Sequence, residues 1–334
     1  MSFTPLSASI VFVLSAAVIL AAAVSLAFCG DKISSHSRLG RLWVGSILLA
    51  GATSLPELVT SITAVRIDAP SLSWGNILGA NMLNMATLSV LLAIFLKTNS
   101  SIIQQREQLI VGSFAIGLTA IAVVSSSLDI ETKISVVSPA SGCIIILFLL
   151  YLILTQRTKQ PSELTSTGTA NSDSYPLTRT WIWFTFSALG ILISAPYLAS
   201  SAQAISHYSG LSENFIGVLG LALVTTLPEL TTTATALKIK AYDLGISNML
   251  GTNAINIVIL AIADAFYSGG SLFSKIDNSN IATGVTSILL TVLMILALYQ
   301  TRGGRKTTVN INAFGSPILY CTTVGAIYLM HTTL

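Results

Sequence analysis

The 334-residue chain is 53% hydrophobic and 9% charged, with three cysteines and a formal net charge of +3. Soluble domains carry about a quarter of their residues as charges, so this composition excludes a water-exposed globule and makes a bilayer the solvent. The small positive excess reflects membrane topology and points to no nucleic-acid partner.

Apolar runs long enough to cross about 30 Å of hydrocarbon, roughly 20 residues each, fall at 8–29, 42–65, 74–96, 108–126, 136–156, 180–201, 214–237, 244–266, 280–300 and 314–333. They predict an all-α membrane protein of ten transmembrane helices. Basic residues near span ends gather on the cytoplasmic side. Alternate loops hold Lys32, Arg38, Arg41, Lys97, Arg106, Arg157, Lys159, Arg179, Lys238, Lys240, Arg302, Arg305 and Lys306, which is 13 of the 16 basic residues, and leave Arg66, Lys133 and Lys275 to the other side. This bias predicts both termini outside and the 157–179 connection in the cytoplasm. Residues 1–29 read as a span and not as a signal peptide, because no basic segment precedes the run and Phe28 is too bulky to stand before a cleavage site. Cys29, Cys143 and Cys321 lie scattered among apolar segments and read as small hydrophobes, without disulfide or metal spacing.

Within these spans one segment occurs twice. Gly45–Asn84 aligns with Gly217–Asn256 without a gap, at a constant offset of 172. Thr53-Ser54-Leu55-Pro56-Glu57-Leu58 answers to Thr225-Thr226-Leu227-Pro228-Glu229-Leu230, and Asn76, Asn81 and Asn84 answer to Asn248, Asn253 and Asn256. The copies fall on the second and third helices of two five-helix halves, 1–156 and 180–334, joined by a polar linker at 157–179. A unit with an odd number of spans re-enters from the opposite side when repeated, so the halves form an inverted repeat.

The chemistry concentrates at the two Pro-Glu segments. An ionisable residue deep in a span is costly and marks a functional site, and here Glu57 and Glu229 are equivalent. Pro56 and Pro228 break the helix and withdraw donors from the carbonyls of Ala52 and Val224, which is tolerated at membrane depth only in buried or cavity-lining backbone. Thr53 and Ser54 share the helix face of Glu57, and Thr225 and Thr226 that of Glu229. On the next helices Asn76, Ala80 and Asn84 form one stripe and Asn248, Thr252 and Asn256 its counterpart. Such a collection of oxygen suits a hard cation, since calcium takes about 6 to 8 oxygen ligands. Two glutamates supply a charge of −2, which one divalent ion, or sodium ions or protons, can cancel. Asp264, His207 and Glu213 lie near span ends and read as solvated or interfacial.

The segments GATSLPELVTS and GNILGANMLN, repeated as VTTLPELTTT and SNMLGTNAIN, resemble the two α-repeats of the calcium/cation antiporter superfamily, in particular its sodium/calcium exchanger branch. The resemblance implies ten helices in inverted five-helix repeats, with ion sites at the midplane between the second, third, seventh and eighth. It also implies alternating access in which the first and sixth helices slide against the rest. Carried over by position, the calcium site resembles the carboxylates of Glu57 and Glu229 with the carbonyls of Thr53 and Thr225. The sodium sites resemble arrangements of the Ser54 and Thr226 hydroxyls, Thr252 and the carbonyls of Ala50 and Ala222, with Asn84 and Asn256 at the centre. Three positions depart from the pattern. Ala80 stands where the family usually has serine, Ser247 replaces the usual glycine, and Asn256 replaces the aspartate of the potassium-dependent branch. Proton-coupled relatives carry an acidic residue near the Gly-Asn-Ala segment, and GNILGAN has none, which favours sodium over protons.

The expected function is exchange of Ca2+ against Na+, with Ca2+/H+ or other divalent cation/H+ antiport as the alternative and a passive channel less favoured, because broken inverted repeats fit a carrier. An enzyme is not expected, because no His-Glu-x-x-His or nucleophile–base pair stands among the central residues. No cofactor is expected beyond the transported ions, and no partner beyond the lipid bilayer. A monomer would suffice.

Overall fold

The structure, a computed structural model, describes residues 3–36, 51, 53–95, 105–128, 137–157, 177–238, 240, 242–301 and 306–332. The described elements are helices: α1 Pro5–His36, α2 Leu55–Arg66, α3 Pro70–Phe95, α4 Gln105–Ser127, α5 Pro139–Arg157, α6 Leu177–Ser209, α7 Glu213–Thr225, α8 Leu227–Lys238, α9 Tyr242–Phe266, α10 Asn278–Thr301 and α11 Lys306–Thr332. Within α7, Gly217–Leu221 is wound as a π-helix. Six of these helices are long and apolar enough to cross a bilayer, and α7 with α8, bent by 48° at a short break, makes a seventh. Shorter apolar stretches lie at Pro139–Ile153 of α5 and Phe314–Met330 of α11. Of the second expected span, residues 42–50 and 52 lie outside the described residues, as does 158–176 of the expected linker.

Two helices form the centre. α3 is buried nearly all round, which a helix apolar on every face requires. Its Trp74, Ile77 and Leu78 pack with Leu118 and Ala122 of α4 and Ile257 and Leu260 of α9. One turn further on, Met82, Met85 and Leu88 meet Met249 and Leu250 of α9 and Leu290 and Met294 of α10. The Trp74 indole, too polar to bury unpaired, donates from Nε1 to the Asn280 carbonyl at 2.7 Å.

α1 and α6 lie against each other at the side of this core. Ala16 and Ile19 pack with Ile191, Ala195 and Leu198, and the Ser187 hydroxyl donates to Ser25 Oγ at 2.8 Å. Their outer faces expose Ile10, Val13 and Leu14 on α1 and Trp183, Phe186 and Ile193 on α6. So much contiguous apolar surface is stable against lipid and not against water. At 32 and 33 residues, both helices exceed the roughly 20 that a span needs.

Backbones approach closely where α3 meets α7 and its π turn. A Cβ on Gly75 would stand 2.6 Å from the Asn214 carbonyl oxygen, and one on Gly217 would stand 2.9 Å from Gly75 Cα. Only glycine permits this approach, and it seals one end of the α3–α7 seam.

Candidate cation site

The two Pro-Glu segments build the same local structure. Pro56 and Pro228 each occupy the second position of a helix that restarts after a break, at Ser54 for α2 and at Thr226 for α8. Proline suits a first turn, where its missing N–H has no helical acceptor to lose. Glu57 and Glu229 follow directly, in the first turns of α2 and α8. The partial positive charge of a helix N-terminus favours a carboxylate there, so each break supplies part of the field that holds an anion away from water.

Both glutamates are 0% exposed. Glu57 lies within electrostatic reach of Glu229 and faces the Thr225 hydroxyl, while Glu229 faces Thr53. None of their four carboxylate oxygens has a hydrogen bond of ordinary geometry. The Ser54 and Thr252 hydroxyl oxygens and the Asn84 and Asn256 Oδ1 atoms are likewise buried without partners. Native interiors leave few buried polar atoms unpaired, so a concentration of orphaned oxygens on residues predicted as cation ligands is the chemical signature of this site. Every one of these atoms is an acceptor by nature or, for the hydroxyls, by choice of rotamer.

Side-chain hydrogen bonds hold the surrounding helices together. Asn76 Nδ2 donates to Thr60 Oγ1 and Ser61 Oγ, each at 3.1 Å, and Asn76 Oδ1 accepts from the Thr225 hydroxyl at 3.2 Å. Asn76 thereby ties α3 to α2 and to the end of α7. Its counterpart Asn248 donates to Thr233 Oγ1 at 3.3 Å, tying α9 to α8.

Between α3 and α9 the contact is reciprocal. Asn81 Nδ2 donates to the Asn253 carbonyl at 3.1 Å, and Asn253 Nδ2 donates to the Asn81 carbonyl at 3.3 Å. Asn84 Nδ2 donates to Asn253 Oδ1 at 3.0 Å, and Asn256 Nδ2 donates to Asn81 Oδ1 at 2.9 Å. Each bond reappears when the partners are exchanged through the offset of 172, as contacts across a two-fold axis do.

Thr53, Ser54, Thr225, Thr226, Thr252, Asn84 and Asn256 are all buried beside the glutamates' helices. Thr226 directs its hydroxyl proton to the Ala222 carbonyl at 2.7 Å, and that carbonyl also accepts the Thr226 N–H at 3.0 Å, which occupies both of its lone pairs. Ala80, opposite in the repeat to Thr252, is buried and brings a methyl where its counterpart brings a hydroxyl. Ser247 exchanges two hydrogen bonds with Gln108 of α4, at 2.8 and 3.1 Å. Ala50 and Ala52 lie outside the described residues.

One expectation needs correction. Asp264, read as solvated or interfacial, is fully buried. Its Oδ2 accepts from Ser138 N at 3.0 Å and the Ser141 hydroxyl at 2.8 Å, and its Oδ1 accepts from Leu272 N at 2.7 Å. The carboxylate clamps the start of α5 and the 3-10 turn Leu272–Lys275 onto the end of α9, so backbone donors replace its hydration. His207 is exposed and Glu213 half-buried, as span-end residues should be. The sequence reading missed Asn81 and Asn253 as members of the site. Their signal was present in the duplication, three residues before Asn84 and Asn256.

The same arrangement of helices occurs in known proteins. The chain is 26% identical over 275 residues to an uncharacterized membrane protein of Methanocaldococcus jannaschii, MJ0091, covering 82% of this chain and 84% of that one. The fold matches native YfkE with a TM-score of 0.71 at 16% identity, over 96% of this chain and 92% of the other. It matches the H+/Ca2+ exchanger CAX with a TM-score of 0.66 at 13% identity, over 97% and 91%. The sodium/calcium exchanger protein family matches residues 7–156 and 179–330. Two matched stretches that take in both Pro-Glu segments and nearly every described helix make this multi-pass membrane chain a member of the sodium/calcium exchanger protein family.

Proposed function

We propose that the chain is a secondary active antiporter that exchanges Ca2+ for Na+ at one midplane site. The observation that carries this reading is the pair of fully buried glutamates, offered from equivalent helix N-termini and accompanied by buried oxygens without hydrogen-bond partners. The four carboxylate oxygens with Ser54 Oγ, Thr252 Oγ1, Asn84 Oδ1 and Asn256 Oδ1 match the coordination number of calcium, about 6 to 8. Sodium binds to the same oxygens when calcium has left, with the carbonyls of Thr53, Thr225 and Ala50 and the Thr226 hydroxyl completing the set, joined by the Ala222 carbonyl once the Thr226 hydroxyl turns its proton away from it.

The architecture in this proposal has ten spans in two inverted five-helix repeats, 1–156 and 180–334, with the 157–179 linker in the cytoplasm and both termini outside. The reciprocal asparagine bonds and the bias of basic residues support it. Alternating access follows by movement of α1 and α6, which pack on each other and turn broad apolar faces to the lipid. The protein is a carrier and not an enzyme, needs no cofactor, and requires no more than a monomer in the bilayer.

Proton-coupled Ca2+ exchange is the second reading, favoured by Ala80, which withholds an oxygen that a sodium ion uses and a proton does not. Purified protein in liposomes separates the two. Calcium uptake against its gradient is expected when sodium leaves the vesicle and not when protons alone leave. Uptake driven only by the proton gradient would replace sodium by protons, and equilibration without counterflow would reject antiport.

A further inference from the structure

We infer that Asn81 and Asn253 are positioning residues that fix which atom Asn256 and Asn84 present to the transported cation, each acting across the interface between the halves. The inference rests on the proposed site, in which Asn84 and Asn256 offer their amide oxygens to the ion.

The argument is one of donors and acceptors. An asparagine side chain ends in an oxygen that only accepts and a nitrogen that only donates, and rotation by half a turn exchanges them at almost no steric cost. A cation is bound by the oxygen and repelled by the NH2 group, so an amide free to rotate is a poor ligand. At Asn81 the choice is forced from outside: the group facing its amide is the Asn253 backbone carbonyl, which only accepts, so Asn81 must turn Nδ2 toward it, 3.1 Å away. Asn81 Oδ1 then points the other way and can take only a donor. Asn256 therefore has to supply its Nδ2, at 2.9 Å, and its Oδ1 is left buried without a hydrogen-bond partner. The chain of constraint runs identically from the Asn81 carbonyl through Asn253 to Asn84, at 3.3 and 3.0 Å. All four side chains are at most 1% exposed, so water does not relax the choice. The backbone of each half thus dictates the orientation of a ligand on its own helix by way of the opposite one.

This crossed dependence separates positioning from general support. Asn81→Leu keeps the branched skeleton and removes the acceptor for Asn256, while the Asn81 backbone carbonyl continues to hold Asn253 and hence Asn84. In proteoliposome flux assays Asn81→Leu is expected to raise the half-saturating Ca2+ concentration by about ten- to a hundredfold, the usual effect of losing a partner that orients a metal ligand. Added to Asn256→Ala it should cause no further loss; added to Asn84→Ala it should act in full. Asn253→Leu should show the mirror pattern, silent in Asn84→Ala and fully effective in Asn256→Ala. Both double variants share the same leucine, so a folding defect affects them alike, and equilibrium 45Ca2+ binding to monodisperse detergent-solubilised protein gives the same comparison where turnover is lost. Equal effects of Asn81→Leu in the two alanine backgrounds would overturn the inference, as would a fall in maximal rate with unchanged half-saturation. If Asn84→Ala and Asn256→Ala alone leave half-saturation unchanged, the proposed site is wrong and the inference falls with it.

Discussion

Glu57 and Glu229 are fully buried in the first turns of their helices, and in the proposed site the transported cation supplies the countercharge. Glutamine in place of either keeps the shape and removes one charge. Glu57→Gln and Glu229→Gln are each expected to abolish Ca2+ transport while the protein elutes from size exclusion as the parent does. A variant retaining near-normal exchange would remove that residue from the site. The glutamates were legible in the sequence because an acid beside a proline inside an apolar run is rare, and its recurrence at a fixed offset rarer still. The asparagine contacts were only half legible, since the duplication marks Asn81 and Asn253 as equivalent but does not show that they bond to each other. Asp264 was hidden for a related reason: two of its three donors lie on residues 126 and 123 positions away, and nothing local distinguishes a buried capping carboxylate from a hydrated one.

At the scale of elements, helix positions followed from hydrophobic run length, while helix ends did not. α1 extends to His36 and α6 to Ser209, past the apolar runs that announced them at 8–29 and 180–201, because polar ends add helical turns beyond the hydrocarbon without changing its signal. The π turn at Gly217–Leu221 left no signal in periodicity either, yet it fixes how closely α7 approaches α3. A glycine on α3 tests that approach. A Cβ at Gly79 would stand 2.7 Å from Val218 Cα. Gly79→Ala should therefore destabilise by about 1–3 kcal/mol, the cost of overpacking a close seam. Thermal unfolding in detergent reads the loss, and unchanged stability would mean that α3 and α7 do not meet as described.

For the whole molecule, the inventory of buried charge has an electrical consequence. Of the 13 acidic residues, Glu57, Glu229 and Asp264 are the fully buried ones among the described residues, and Asp264 is engaged at the far end of α9. Residues 42–52, which lead into the first break, contain no ionisable side chain. In the proposed antiporter the ion-free site carries −2 when both glutamates are ionised, and it then reaches zero with one divalent or with two monovalent ions. A third monovalent ion would strand an unbalanced charge in a low-dielectric interior, where ions are costly. A turnover of one Ca2+ against two Na+ moves no net current, so voltage neither drives nor brakes it. Vesicles clamped with valinomycin and potassium at opposite polarities should take up calcium at the same rate under one sodium gradient; a rate that follows the clamp would mean an additional charge moves with each cycle. A cell using such a carrier would draw on its ion gradient alone, and would keep calcium moving when its membrane is depolarised.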